Sequence, residues 1–208
     1  MTPEEIYAES FRIIEAEAGG HTFDATEWPV VRRMVHASGD LEILRSAAFT
    51  GGAAAAGVAA FRDGVAIVAD VGMVAAGISK PHAAALSVAV RCFIDDPDVR
   101  EQAAARGLTR SACAMAKAVA EVGDAVYVVG NAPTALLALC DAVREGVVRP
   151  RLVVAMPVGF VSVVESKERA LSLSGTPVAT VRGRKGGSAV AAAALNAMLR
   201  MATREPLP

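Results

Sequence analysis

Aromatic residues are scarce in this chain: one Trp, two Tyr and six Phe among 208 residues, 4% of the total, while 53% are hydrophobic. A core so poor in rings must be filled by Ala, Val and Leu, which suits the close-packed layers of an α/β protein. Cysteine is nearly as rare. Cys92, Cys113 and Cys140 are odd in number, far apart and without a C-x-x-C pair. That excludes a disulfide framework and a zinc ribbon, and fits reduced thiols. Net charge is almost absent too, at -1, so nothing in the total points to nucleic acid or another polyanion. Three histidines at 21, 36 and 82 lack metal-ligand spacing. The longest uncharged stretches, 46–61 and 125–140, fall short of a membrane span of roughly 18 residues. The opening "MTPEEIYAES" is acidic and helix-forming, unlike a signal peptide. A cytoplasmic protein with no membrane partner is the expectation, and the length suits one domain over 1–208.

Two helices should come first. Thr2, Pro3 and Glu5 form a capping box at the start of a helix over 2–18, which Gly19-Gly20 ends. The apolar spacing of Trp28, Val31, Met34 and Val35 predicts a helix over 27–37. An Ala-rich helix over 51–61 follows. Then an alternation begins. "VAIVAD" (65–70), "SVAVRCFI" (87–94), "AVYVVG" (125–130), "LVVAMP" (152–157) and "PVATV" (177–181) read as buried strands. Helical stretches at 98–106, 109–122, 133–145, 163–173 and 187–202 lie between or after them. The pattern predicts a three-layer α/β/α fold with a mainly parallel five-stranded sheet and a helical N-terminal segment.

Ligands of open parallel sheets bind beyond the carboxyl ends of the strands, which directs attention to the loops there. "GNAPTAL" opens a helix whose free amides, from Asn131 to Thr134, could receive a carboxylate; an ordinary capped turn explains it equally well. "VRGRKGGS" places Arg182, Arg184 and Lys185 on a flexible backbone, either as an acid cradle or as a solvated basic loop. Neither G-x-x-x-x-G-K-[ST] nor a strand followed by G-x-G-x-x-G occurs, so a nucleotide or FMN site has no visible device. Arg110 lies just inside a helix start, where a cation is disfavoured by the dipole unless it reaches an anion. In "VVRRMVHASGD" (30–40), Arg33 precedes His36 by three residues. A neighbouring cation should hold the imidazole neutral, able to accept or pass on a proton near pH 7. A helix-end histidine by itself is more often structural, and no Ser-His-Asp or Cys-His arrangement is readable.

Seven stretches together say more. "IYAESFRIIEAEA" (6–18), "VRRMVHASGD" (31–40), "ADVGMVAAGISK" (69–80), "LTRSACAM" (108–115), "VGNAPTALL" (129–137), "MPVGFVSVVESK" (156–167) and "VRGRKGGSAVAAAALN" (181–196) resemble, in the same order, the precorrin-8X methylmutase family of corrin biosynthesis. The resemblance implies a flavodoxin-like fold, a homodimer with the site near the subunit interface, and an isomerase that needs no external cofactor or metal. It would move a methyl group from C-11 to C-12 of the tetrapyrrole to give hydrogenobyrinic acid. It also implies that His36 is the catalytic acid/base, with Ser10, Arg33, Ser79 and Lys80 as substrate contacts. Arg110, Asn131, Thr134 and Arg182 complete an expected basic rim for the polycarboxylate. Whether the substrate carries cobalt is left open. The competing readings are a corrinoid-acid carrier without turnover, an FMN-binding flavodoxin relative and a protein-interaction module.

Overall fold

The computed structural model describes residues 1–203; residues 204–208, the end of the expected 1–208 domain, lie outside them. Thr2 caps the first helix, α1 (Pro3–Ala18), as its sequence predicts: its hydroxyl accepts from the Glu5 amide while Glu5 accepts from the Thr2 amide. α2 (Glu27–Ser38) follows and ends at Gly39, whose φ of 63° closes the helix in the left-handed region. The short α3 (Ile43–Ser46), the strand β1 (Ala47–Thr50) and α4 (Ala53–Arg62) lead into the alternating part.

That part runs β2 (Ile67–Ala69), α5 (Gly72–Gly77), α6 (Lys80–Ala85), β3 (Val90–Arg91), α7 (Pro97–Arg106), α8 (Arg110–Val122) and β4 (Val126–Val129). It continues with α9 (Pro133–Arg144), β5 (Leu152–Ala155), α10 (Val163–Leu171), β6 (Val178–Val181) and α11 (Ser188–Thr203). All five expected strands are present, in the order β6-β5-β4-β2-β3 and parallel throughout. Counted among themselves, they have the 2-1-3-4-5 order of flavodoxin-like sheets. The sheet holds six strands, not five. β1 pairs antiparallel with β6 at the edge, Ala47 opposite Val181.

Residues along each central strand alternate between two cores, as a period of two demands. Ile67, Val126, Val128, Leu152 and Val154 face the layer of α2, α4 and α11. Val68, Tyr127, Val129, Val153 and Val178 face the layer of α7 to α10. Small residues let the first layer close tightly: a Cβ on Gly57 would come within 2.5 Å of the Met198 sulfur. α1 lies outside α2, and α2 lies on α11. Among the described residues, no helix is long and apolar enough to cross a membrane.

Candidate active site

His36 sits in the last turn of α2, half-buried under α1. Its ring stacks on Phe11, centroids 5.0 Å apart and planes 19° from parallel, and meets Tyr7 edge-on at 5.0 Å. The Arg33 guanidinium approaches Nδ1 at 3.0 Å. A guanidinium has no acceptor, so Nδ1 accepts and the ring proton of the neutral imidazole lies on Nε2. Arg33 also lies 5.3 Å from the Tyr7 ring, and Arg32 lies 4.5 Å from that of Phe11. Burial among these rings, and secondarily the Arg33 charge, pushes the His36 pKa below its ordinary 6.5. The expected direction holds, but the larger cause is the aromatic cover, which helical spacing within α2 does not reveal.

Two cavities flank this stack. One, of about 360 Å³, is lined by Ser10, Ile14, Val35, His36, Gly39 and Leu41. The other, of about 140 Å³, is lined by Tyr7, Phe11, Arg33, Ser79, His82 and Arg200. Ser10 thus shares a cavity with His36, while Ser79 shares one with Arg33. Ser10 spends its hydroxyl proton on the Ile6 carbonyl, which leaves oxygen lone pairs facing outward. The Ser79 hydroxyl is 2.6 Å from His82 Nδ1, and its amide donates to Asn196.

The remaining expected contacts lie along the carboxyl end of the sheet and line neither cavity. Lys80 is exposed at the start of α6. Arg110 stands 3.9 Å from Asp95, and Thr109 bridges the starts of α8 and α9 through its hydrogen bond to Thr134. Arg182 donates to both oxygens of Glu168, at 2.7 and 2.9 Å. Lys185 is bonded to Asp40 and Glu42, and Arg184 lies over the Phe160 ring at 5.3 Å.

The amides after β4 do hold a carboxylate, and it is the protein's own. Asp70, at the end of β2, accepts from Gly130, Asn131 and Ala132, each at 2.9 Å. Burial pushes its carboxyl above the usual value, and the three amides pull it back. It closes the place where the strand order reverses, the usual ligand crevice of such sheets. The sequence carries a signal for this: an acid ending an apolar strand must find donors at that end.

A second buried ion was also unforeseen. Lys167 of α10 is 0% exposed and donates to the carbonyls of Val181, Gly183 and Lys185. Desolvation lowers its pKa to about 8. In the loops and helix starts after β2 and β5, the large apolar side chains of Met73, Phe160 and Val161 are 74%, 83% and 82% exposed.

Comparison with known proteins gives one answer. The family model described as precorrin-8X methylmutase matches residues 5–201. The cobalt-precorrin-8 methylmutase of Priestia megaterium is 42% identical over 198 residues, 95% of this chain and 88% of that protein. The precorrin-8X methylmutase of a Sinorhizobium species is 41% identical over 94% of this chain and 93% of its own. A solved precorrin-8X methylmutase from Thermus thermophilus superposes with a TM-score of 0.87 at 42% identity, covering 96% of this chain and 98% of that one.

Proposed function

The chain belongs to the precorrin-8X methylmutase family, and we propose that in its reaction His36 handles the proton while the surrounding cations hold the substrate's acids. The reaction is an isomerisation in cobalamin biosynthesis: precorrin-8X becomes hydrogenobyrinic acid as a methyl group leaves C-11 for C-12. One bond to the methyl carbon breaks and one forms within the same molecule, so any proton that His36 lends must return to it. The observation that carries this reading is the Arg33–His36 contact at 3.0 Å beneath Tyr7 and Phe11.

The contact sets the order of events. Before substrate arrives, burial and, secondarily, the Arg33 charge favour the neutral form of His36, with Nε2–H as its donor. A substrate carboxylate that pairs with Arg33 draws the guanidinium from Nδ1, which can then take up a proton from solvent. The imidazolium lends its Nε2 proton and recovers it when the methyl group has moved. The imidazole becomes able to carry a proton to the macrocycle only when the macrocycle is bound. Ser10 and Ser79 supply hydroxyls on either side, and Lys80, Arg110 and Arg182 supply rim charge. The amide of Asn131 is engaged by Asp70, so Asn131 contributes its exposed side chain, and Thr134 its hydroxyl.

Residues 1–208 act as one unit of this kind, in the cytoplasm, and a second copy completes the slot. Exposed Met73, Phe160 and Val161 support that pairing; size-exclusion chromatography with light scattering tests it, and a monomer at micromolar concentration would refute it. Relatives named for the cobalt-bearing and the metal-free substrate match equally well, so both pigments belong in the activity assay.

The titration of His36 tests the proton-handling account. By NMR, its pKa should lie below 6.5 in the free protein. Arg33→Met should raise it without restoring 6.5, because burial, the larger cause, persists. The stability that follows has a fixed sign: it is complete above pH 6.5 and is lost as pH falls through the lower folded value. A His36 pKa above 6.5 in the free protein would overturn the neutral resting state.

A further inference from the structure

Lys167 is an ammonium with no exposure, and its three protons meet three carbonyl oxygens: Val181 at 2.8 Å, Gly183 at 3.0 Å and Lys185. Three donors for three acceptors satisfy the group completely. Burying a charge in this way is costly, and a Met of similar length would avoid that cost only by leaving three carbonyls without this donor. What the ammonium gains is the gathering of those carbonyls. The three acceptors are alternate residues of one short segment, and a single point gathers them, so Lys167 fixes the backbone path from β6 into α11.

That path is narrow. Gly186, with φ at 151°, passes so close to the end of β5 that a Cβ would sit 2.5 Å from the Met156 carbonyl oxygen. The Gly187 amide donates to the same oxygen at 2.8 Å. Lys185 lies between the clamp and this passage. Its backbone carbonyl accepts from Lys167, while its side chain donates to Asp40, at 2.6 Å, and to Glu42. Lys185 is the largest cause that holds the Asp40 carboxyl below its usual range. Asp40 directly follows Gly39, the left-handed cap of the histidine helix, and Gly39 and Leu41 line the same cavity as His36.

We propose that Lys167 is a positioning residue for the methyl transfer: through Lys185 it ties the glycine-rich loop to residues 39–42 and so sets the wall of the His36 cavity. The link runs from α10 through the loop to residues 39–42, beside the β1–β6 pairing and the 2.7 Å bond from the Arg182 amide to the Ser46 carbonyl, which hold the start of the same loop. Lys167 touches neither His36 nor the cavity; it acts only through the loop. The consequence for turnover rests on the reaction assigned above, whereas the link itself does not.

The test is a double-mutant cycle on the full chain with Lys167→Met and Lys185→Met. Each single variant should raise KM for precorrin-8X about ten-fold, equivalent to about 1.4 kcal/mol, with kcat within about three-fold because His36 and Arg33 are untouched. The double variant should be no worse than either single one, since both cut one link; independent structural damage would add instead. A substrate-free readout runs beside it: in ¹⁵N-labelled protein, the Gly39 amide and His36 ring signals should shift alike in all three variants. If wild type converts neither pigment, the assigned reaction fails while these signals still report on the link. Should Lys167→Met not fold, Lys185→Met combined with Asp40→Asn and Glu42→Gln replaces it in the cycle. A folded Lys167→Met protein, or Lys185→Met in that second cycle, with unchanged KM and unmoved Gly39 and His36 signals would overturn the proposal. Additive effects would do the same.

Discussion

His36→Ala should lower kcat by about 10²–10⁴-fold, the usual contribution of a positioned acid or base, while substrate affinity changes little. The size follows from the geometry. Arg33 donates to Nδ1, which leaves Nε2 as the only ring atom able to exchange a proton with a ligand. Among the described residues, Ser10 and Gly39 share the cavity without a group that titrates near pH 7, and Glu17 also lines it, so Glu17→Gln run alongside separates the acid from the imidazole. The affinity should survive because the proposed holders of the substrate's acids are guanidinium and ammonium groups rather than the imidazole. One side effect needs control, since removing the ring also exposes a face of Phe11. His36→Gln, which keeps most of the volume and a donor, should lose comparable turnover with a smaller change in stability. If His36→Gln kept near-normal kcat, a hydrogen bond would suffice and proton transfer would be excluded from the account.

Asp70→Ala has the largest expected effect on stability. It strands the amides of Gly130, Asn131 and Ala132 at a buried strand end. An unpaired buried donor costs about 1–3 kcal/mol, so the substitution should remove roughly 3 kcal/mol or more even if water reaches part of the gap. For a chain of this size that lowers the melting temperature by about 6–12 °C. Asp70→Asn should cost less, because its single carbonyl oxygen still serves part of the triad. Scanning calorimetry on both variants decides the matter. A melting temperature for Asp70→Ala within about 2 °C of wild type would mean the three amides find other acceptors.

Much of this architecture is legible in the residues, and the exceptions have physical reasons. The parallel strands are read correctly because strands covered on both faces, such as Val126–Val129, are continuous apolar runs. β1 escapes the same reading. "AAFT" is a half-buried edge strand whose identity comes from its pairing with β6, not from its own pattern. α5 and α6 are six residues each, too short for a period to register. α5 exists because Val74 packs against Gly130 and Gly77 against Ala192, contacts made across the fold.

The site shows the same division. Arg33 and His36 are three apart on one helix, and their interaction follows from that spacing. The aromatic roof comes from α1, and nothing local to residues 30–40 announces it. The amides of the "GNAPTAL" turn read as free for a ligand carboxylate, and the structure fills them with an internal one. Their partner 60 residues away, Asp70, is a long-range choice. Lys167 follows the buried stripe Val163, Ser166, Lys167, Ala170 of α10. A lysine on such a stripe is rarely fully buried, and that conflict is the signal a sequence reading can use.

The measurement that tests the central claim most directly is a single-turnover experiment with enzyme in excess of precorrin-8X, wild type and His36→Ala side by side, followed by visible absorption. Excess enzyme separates capture of the pigment from its conversion. The account predicts that both proteins capture the pigment, that wild type converts it to hydrogenobyrinic acid, and that His36→Ala leaves it unchanged on the same timescale. Conversion by His36→Ala at a rate close to wild type would contradict the role assigned to the imidazole.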